Sequence, residues 1–453
     1  MFFVSLIFFI IQTFKFLDPD FGWHLQAGNL ILNSGISKFD PFSYTMPSFS
    51  FVNHEWLYDL IIARIFSISG IWGLSFLFAL LGVLIIYLVT RGKSLKIVDL
   101  IITILAVTSL EPMFTVSPRV ISWLLFSLIL YINLNDDILI RYKWTLPLII
   151  LLWTNLHGTF ILGLVILGII SFVKKEFLVF LTSSVITLVN PYGIKLWWMV
   201  WLTIADTTQK TRIAEWQPTP QVLAYVPFLV FFIFTLSLVV LIKYWHKFKA
   251  EEMILYILFL IFALLAFRNI NYWILVTLPM ISTGINYFYK DMAKVKNGQK
   301  RLQKALNFIL ISIIAMFLIQ LLIHSHPFNE NTFYPKNAVN YLKNNIPNGQ
   351  IFAEYNWGGY LIWKLPEKKV FISGLMPVWK NPNAPQSEST DAMQDYLNIT
   401  TGKVDYKKHF EKYNIDLVLL ANNNSQAIKL RENLEKDGWK IIYKDLVATI
   451  YQE

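Results

Sequence analysis

The chain has 453 residues, of which 55% are hydrophobic and only 15% are charged, and its mean hydropathy is +0.51. Soluble domains carry about 25% charged residues, so we expect most of this chain to lie in a membrane. The sequence has no cysteine, which excludes disulfides, a thiolate nucleophile and a cysteine-ligated metal. Its net charge of +10 is spread over separate segments rather than one stripe, which argues against nucleic-acid binding.

Apolar segments follow one another through the first 325 residues. A helix needs about 20 apolar residues to cross a bilayer, and somewhat fewer where it is short or partly buried. The first segment follows Met1 without a basic flank or a small-residue cleavage site, so we expect a retained helix rather than a signal peptide. We predict about 11 transmembrane helices, near residues 1–17, 70–90, 97–113, 119–134, 144–156, 158–173, 176–190, 221–242, 252–267, 269–288 and 303–323.

Lysine and arginine concentrate in alternate turns between these segments, and the positive-inside rule makes those turns cytoplasmic. The N-terminus is then cytoplasmic, and an odd number of spans places the chain after His324 outside the cell. The basic turns contain Arg91, Lys93 and Lys96; Arg141 and Lys143; Lys174 and Lys175; Lys243, Lys247 and Lys249; and the segment Lys290–Lys304.

The longest connection between two predicted spans is the outer loop 17–69, which is well beyond the usual loop length. We predict interfacial helices in it, one opened by Asp20 and one over Asn53–Ile68. A carboxylate at the membrane interface can be tuned for proton abstraction, but such residues also cap helices, and both interpretations stay open. The acids and histidines of this loop are Asp18, Asp20, His24, His54 and Glu55.

The chain changes character near residue 326, where polar residues and proline replace the long apolar runs. We therefore divide it into a transmembrane domain, 1–325, and a small extracytoplasmic α/β domain, 326–453, which is long enough to bury its own core. The Tyr355–Tyr360 run is interpreted as a strand-to-turn junction that either packs in this core or binds sugar or peptide. The predicted helices are Lys336–Asn345, ended by Pro347-Asn348-Gly349, and Ser425–Lys436, and the predicted strands are Gln350–Tyr355, Lys369–Ser373, Asp416–Leu420, Trp439–Tyr443 and Val447–Tyr451.

Polar residues with two interpretations also emerge on the outer side of other spans. Asn155 and His157 form either a buried hydrogen-bonded pair or part of a cavity wall. Glu215 and Trp216 either contact a sugar, with the indole stacking on its apolar face, or pack against the tail.

Six short motifs stand out along the chain: Asp18–Leu25, Asp40–Thr45, His54–Leu57, Asn155–Gly158, Asn190–Gly193 and Glu215-Trp216. Together they resemble the motifs of the GT-C superfamily of integral-membrane glycosyltransferases, relatives of the protein O-mannosyltransferases and the lipid A aminoarabinose transferases. The similarity is greatest to uncharacterised prokaryotic multispanning members. One departure is Gly22, where those relatives usually have tryptophan.

This resemblance implies a catalytic base in the first outer loop, on Asp20 or Asp18. We favour Asp20, because Asp18 precedes a proline and suits a structural turn. The resemblance also implies a polyprenyl-phosphate sugar donor, whose phosphate Arg119 and Arg268 would bind, although each arginine could instead snorkel or pair with an outer carboxylate such as Glu111.

A divalent cation, Mg²⁺ or Mn²⁺, is an open question, with Asp18, Asp20 and His24 as its candidate ligands. His24, His54, Glu55, Asn155, His157, Glu215 and Trp216 would shape the site.

The sequence therefore predicts a GT-C-like helical polytopic protein of a prokaryotic cell membrane that transfers a sugar, with inversion, to a lipid, glycan or protein acceptor on the extracytoplasmic face. The alternative is a non-catalytic membrane assembly or surface-binding protein that retains the fold. A transporter ranks last, because the predicted spans are nearly free of charge.

Overall fold

The computed structural model describes residues 2–90, 96–323, 329–330, 332–345, 348–376 and 378–453. Arg91, Lys93, His324 and Pro347, which enter the predictions of topology and of a turn, lie outside the described residues. The described chain is mostly helical, with one small sheet near its end.

The helices before residue 324 are α1 (Phe2–Lys15), α2 (Phe21–Ser34), α3 (Trp56–Thr90), α4 (Lys96–Leu110), α5 (Pro118–Leu134), α6 (Asp136–Tyr142), α7 (Leu146–Leu156), α8 (Phe160–Lys174), α9 (Phe177–Ile186), α10 (Ile194–Ala205), α11 (Thr207–Arg212), α12 (Phe228–Tyr244), α13 (Ala250–Leu265), α14 (Ile270–Met292) and α15 (Gly298–Ile323). The tail contains α16 (Lys336–Asn344), β1 (Gln350–Ala353), α17 (Gly358–Lys364), α18 (Ala392–Thr400), α19 (Tyr406–Tyr413), β2 (Ile415–Ala421), α20 (Ile428–Lys436), β3 (Lys440–Lys444) and β4 (Ala448–Gln452).

Every apolar segment predicted to span the membrane contains a helix. By length and composition, three helices of the described chain, α3, α12 and α15, could each cross a bilayer alone. A fourth candidate is the pair Pro118–Leu134 and Asp136–Leu156, which is bent by 107° at a short break. The apolar helices α1, α8 and α9 are shorter, with 10–17 residues, and the predicted number of spans stays a prediction.

The chain forms two compact units. The first unit comprises Met1–Phe14, Ser75–Ile194 and Ile204–His326, and contains most of the apolar helices. The second unit comprises Lys15–Leu74, Lys195–Thr203 and Pro327–Glu453. The first outer loop and the tail therefore belong to one unit, whereas the sequence-based division assigned them to different domains.

The loop and the tail share a hydrophobic core in the second unit. Trp23, Ala27, Met46 and Phe51 of the loop are buried with aromatic and aliphatic residues of the tail. The hydroxyl of Tyr334 donates a hydrogen bond to the Leu17 carbonyl at 2.8 Å. The loop and the tail therefore fold around one core, and the side of the membrane on which they lie stays a prediction.

The tail contains a four-stranded sheet in the order β1-β2-β4-β3. β1 pairs with β2 in parallel, and β4 runs antiparallel to both β2 and β3. The predicted strand Lys369–Ser373 is wrong as a regular strand, because only Val370 forms isolated bridges, with Ser43 and Ile351.

The Asp40–Thr45 motif of the loop pairs with Val370 in place of a regular strand. The Val370 N–H donates to the Phe42 carbonyl at 2.9 Å, and the Tyr44 N–H donates to the Val370 carbonyl at 3.1 Å. The irregular loop thus occupies the position of a neighbouring strand beside Val370.

Glycines permit a backbone-to-backbone contact between α2 and α17. A β-carbon at Gly22 would lie 2.0 Å from the Gly359 carbonyl oxygen, and one at Gly359 would lie 2.2 Å from the Pro19 carbonyl oxygen. Tryptophan, usual at position 22 in the proteins that this sequence resembles, does not fit this packing. The Tyr355–Tyr360 run therefore continues into a short helix packed on α2, not into the turn that we predicted.

Candidate functional site

Asp18 and Asp20 lie just before α2, and their side chains make different contacts. The Asp18 carboxylate is buried and accepts the backbone N–H of Asp20 at 3.0 Å, which is the turn geometry expected before Pro19. The Asp20 carboxylate is partly exposed and accepts the indole N–H of Trp23 at 2.9 Å. It also lies against Gly374, where a β-carbon would approach its Oδ1 to 1.9 Å.

His24 is buried one helical turn after Asp20, between two carboxylates. Its Nδ1 lies 2.6 Å from Asp59 Oδ1, and its Nε2 lies 3.9 Å from Glu55 Oε2. Burial alone would lower the pKa of His24, but Asp59, with smaller effects from Glu55 and Asp20, raises it to about 9. His24 is therefore an imidazolium at neutral pH.

Asp59 is a residue of this cluster that the sequence analysis missed. It is fully buried in the first turn of α3, and its second oxygen accepts the Asn53 side-chain N–H at 2.7 Å. His54, which is half-buried, lies 3.7 Å from the same oxygen of Glu55 that faces His24. The available signal was a lone acid in the first turn of an apolar helix, four residues after Glu55.

The candidate cation ligands Asp18, Asp20 and His24 do not form a metal site. Across the described residues, no three His, Asp or Glu side chains group in a way that could hold a metal ion. Both nitrogens of His24 already face carboxylates, Nδ1 that of Asp59 and Nε2 that of Glu55.

The first unit brings together both arginines and Glu215. One carboxylate oxygen of Glu215 lies 3.3 Å from Arg119 Nη2, and the other lies 3.7 Å from Arg268 Nη1. Burial alone would raise the pKa of Glu215, but Arg119 and Arg268 hold it below its ordinary value. Glu215 is thus a carboxylate that pairs with Arg119. Glu111, the alternative named above, accepts the side-chain N–H of Gln320.

The two arginines lie at the beginnings of two helices. Arg119 is the second residue of α5, and Arg268 precedes α14 by two residues. The guanidinium of Arg268 also stacks over the Trp216 ring, 4.2 Å from its centroid. Helix N-termini carry partial positive charge, so both arginines add to a field that already favours an anion.

His157 ends α7 and belongs to a buried hydrogen-bond network in the same unit. Ser122 Oγ accepts from Trp153 Nε1 and from Thr159 Oγ1, each at 2.9 Å, and it lies 2.6 Å from His157 Nδ1. Thr159 Oγ1 also lies 2.8 Å from His157 Nδ1, so two hydroxyl groups face this ring nitrogen. Tyr272 extends the network by donating to Thr159 at 3.3 Å.

This network lies close in sequence to both arginines. Ser122 is one turn after Arg119 on α5, and Tyr272 of α14 is four residues after Arg268, which precedes that helix. Asn155, by contrast, donates to the Leu151 and Val189 carbonyls at 2.9 and 3.0 Å, which is the buried structural role considered from sequence. The predicted site residues thus fall into two clusters, one in each unit.

Comparisons with known proteins identify the fold. No family model and no curated protein matches the sequence. Among solved structures, the archaeal oligosaccharyltransferase AglB from Archaeoglobus fulgidus, in complex with an inhibitory peptide and a dolichol-phosphate, superposes with a TM-score of 0.64 and 13% identity, covering 93% of this chain and 69% of that chain.

ArnT from Cupriavidus metallidurans, in the apo state, gives a TM-score of 0.56 at 12% identity, covering 99% of this chain and 96% of that chain. The arabinofuranosyltransferase AftD from Mycobacteria gives a TM-score of 0.50 at 12% identity, and 100% of this chain matches 39% of that chain. All three are glycosyltransferases of the GT-C superfamily. The chain therefore has the GT-C fold that the sequence motifs predicted.

Proposed function

We propose that this protein is a membrane glycosyltransferase that moves a sugar from a polyprenyl-phosphate-linked donor to a lipid, glycan or protein acceptor on the extracytoplasmic face. The shared fold supports the general kind of function, since AglB was solved with both a dolichol-phosphate and a peptide bound. Fold alone does not determine chemistry, so the proposal depends on the site itself.

The pair of arginines at the starts of two helices is the observation that carries the proposal. Arg119 and Arg268 share the single carboxylate of Glu215, so the three side chains sum to one positive charge. Both guanidinium groups are mostly buried, with 18% and 16% of their side chains exposed. Guanidinium groups bind phosphate through paired N–H donors and stay charged in apolar surroundings, which suits a lipid phosphate.

In the proposed reaction Asp20 is the general base. Its carboxylate accepts the proton of the acceptor's nucleophilic group, which attacks the anomeric carbon and displaces the phosphate with inversion. The bond between the anomeric carbon and the phosphate oxygen breaks, and that oxygen keeps the electron pair. Arg119 and Arg268 neutralise the charge that develops on the leaving phosphate.

The other predicted residues have supporting roles in this proposal. His24, Glu55 and His54 hold the start of α2 against the start of α3, which fixes the position of Asp20. In the first unit, His157 and Asn155 order the helix ends near the arginines, and Trp216 orients Arg268 by stacking.

One observation favours the alternative of a non-catalytic membrane protein. Asp20 accepts a hydrogen bond from Trp23 and packs against Gly374, contacts that a purely structural carboxylate would also make. Transferase activity of Asp20→Asn separates the two interpretations, because the asparagine amide can still accept the indole proton but cannot act as a base. The proposed base is wrong if this variant keeps full activity in reconstituted membranes.

The phosphate site is tested by binding. The full chain is purified in mild detergent, its copurifying lipids are identified by mass spectrometry, and binding of a polyprenyl phosphate is then titrated. We expect Arg119→Gln and Arg268→Gln each to weaken binding by about tenfold or more, the loss expected for a charge-assisted contact. Lys143→Gln is the matched control, because Lys143 forms a comparable ion pair with Glu176 in the same unit. Unchanged binding in both arginine variants would remove the basis of the proposal.

A further inference from the structure

Glu215 occupies the position in which the two arginines would hold a phosphate. A carboxylate and a phosphate both offer pairs of oxygens to guanidinium groups. Here the two oxygens of one carboxylate are divided between two arginines, one to each. The distances of 3.3 and 3.7 Å are longer than the 2.7–2.9 Å typical of charge-assisted hydrogen bonds. The arginines are therefore neutralised by a contact that a better-fitting anion can replace.

The segment around Glu215 is built to allow such an exchange. Glu215 lies in a single 3-10 turn, Ala214–Trp216, outside the longer helices. Directly after this turn the backbone is anchored, because Phe267 N donates to the Gln217 carbonyl at 3.0 Å and Thr219 Oγ1 donates to the Ala263 carbonyl at 2.5 Å. Movement of the turn is therefore confined to residues before Gln217.

Glu215 and a phosphate compete for the same hydrogen-bond donors. The Glu215 carboxylate faces the N–H groups of Arg119 and Arg268 that a phosphate would bind. Two anions held this close in a partly desolvated site also repel each other. A phosphate that binds these N–H groups of both arginines must consequently displace the carboxylate.

We propose, building on the proposed function, that Glu215 is an intramolecular competitor that closes the arginine site in the free protein and is expelled when a polyprenyl phosphate binds. Expulsion frees the turn Ala214–Trp216, so binding of the lipid phosphate and opening of this segment are coupled. In the absence of the lipid, the carboxylate of Glu215 stays paired with both guanidinium groups.

The opposite role, in which Glu215 positions the arginines for phosphate, predicts the opposite effect of the same substitution. Glu215→Gln keeps the shape of the side chain and removes its charge. If Glu215 competes, the variant binds polyprenyl phosphate about fivefold or more tightly than the wild type, the lower range of typical coupling between sites. If Glu215 positions the arginines, the variant binds less tightly.

The experiment titrates a polyprenyl phosphate into the full chain in detergent, for the wild type, Glu215→Gln and the control Glu176→Gln. Glu176 is another glutamate of the first unit that pairs with a basic residue, Lys143. Tighter binding of the polyprenyl phosphate by Glu215→Gln, and not by Glu176→Gln, supports the role of Glu215 as a competitor. Equal or weaker binding by Glu215→Gln, with normal binding by the wild type, overturns the competitor and leaves the phosphate site intact. Failure of both proteins to bind overturns the phosphate site itself.

Hydrogen exchange of the intact protein provides a second measurement that does not depend on the variant folding normally. We expect the lipid to increase amide exchange in the peptide covering residues 207–217 of the wild type, because the turn is released. Slower exchange in that peptide on addition of the lipid would overturn the proposal.

Discussion

The two clusters of site residues are built from the same kinds of groups in opposite arrangements. In the first unit one carboxylate, of Glu215, lies between two cations, and 31% of its side chain is exposed. In the second unit one cation, of His24, lies between two carboxylates, and all three side chains are at least 90% buried. The arginine cluster has net positive charge and a partly exposed carboxylate, whereas the His24 cluster is enclosed.

The difference shows which cluster can exchange its partner. A partly exposed ion pair contributes little to stability, because water replaces each contact at small cost. A buried pair with further hydrogen bonds cannot lose one member without leaving a charge in a low-dielectric interior. We therefore interpret the arginine cluster as a binding site and the His24 cluster as the element that holds α2 against α3.

The largest expected effect follows from breaking the buried pair. Asp59→Ala removes the partner of His24 and of Asn53 together. We expect it to lower the free energy of unfolding by about 3–5 kcal/mol, the usual cost of leaving one member of a buried ion pair alone. Thermal unfolding of the full chain in detergent measures this loss.

Glu367→Ala is the matched control for that measurement. Glu367 is an exposed acid of the same unit, so its removal should change stability by less than about 0.5 kcal/mol. Equal stability of Asp59→Ala and Glu367→Ala would show that the His24 cluster does not hold the second unit together.

The second effect is a dependence of stability on pH. The pKa of His24 is about 9 in the folded protein, against 6.5 for a free histidine. A raised folded pKa means that the stabilisation is complete below pH 6.5 and is lost as pH rises through about 9. We expect this loss to reach about 3 kcal/mol, as unfolding between pH 6 and 10 would show.

Two substitutions locate the origin of this pH dependence. His24→Gln should be less stable than the wild type at pH 6 and should have a flatter profile. His54→Gln should retain the slope, because His54 contacts Glu55 but not Asp59. A wild-type profile that is flat between pH 6.5 and 9 would contradict an imidazolium at position 24.

The sequence predicted the long apolar helices well and the contacts between residues poorly. Long apolar runs and their basic flanks located the apolar helices, because burial in lipid imposes a strong compositional pattern. The helices α18 and α19 were missed, although Asp391 and Asp405 cap them by accepting the backbone N–H of Gln394 and Lys407. The sequence analysis assigned no helix or strand to the polar region that contains these capping residues.

Most residues of the candidate site were predicted, but not all of their contacts. Arg119, Arg268 and Glu215 were identified because charged residues are rare beside apolar spans. Their convergence, however, depends on how three distant segments pack. The local signal for Asp59, an acid in the first turn of an apolar helix, did not indicate its partner, since His24 lies 35 residues away in sequence. Pairing across such a distance is set by the packing of α2 on α3, which residue patterns do not show.

The smallest expected effect is the free-energy coupling between Trp216 and Arg268 in the arginine cluster. Trp216 stacks under Arg268 at 4.2 Å, and cation–π contacts at exposed sites contribute about 0.5–1 kcal/mol. In a double-mutant cycle, Trp216→Leu and Arg268→Gln should therefore show a coupling free energy of that size. The cycle is measured by unfolding of the full chain, with Trp198→Leu, an exposed tryptophan of α10, as the control partner. A coupling above about 2 kcal/mol would mean that the stack is a strong structural contact, and the contrast between an exchangeable cluster and a fixed one would then be lost.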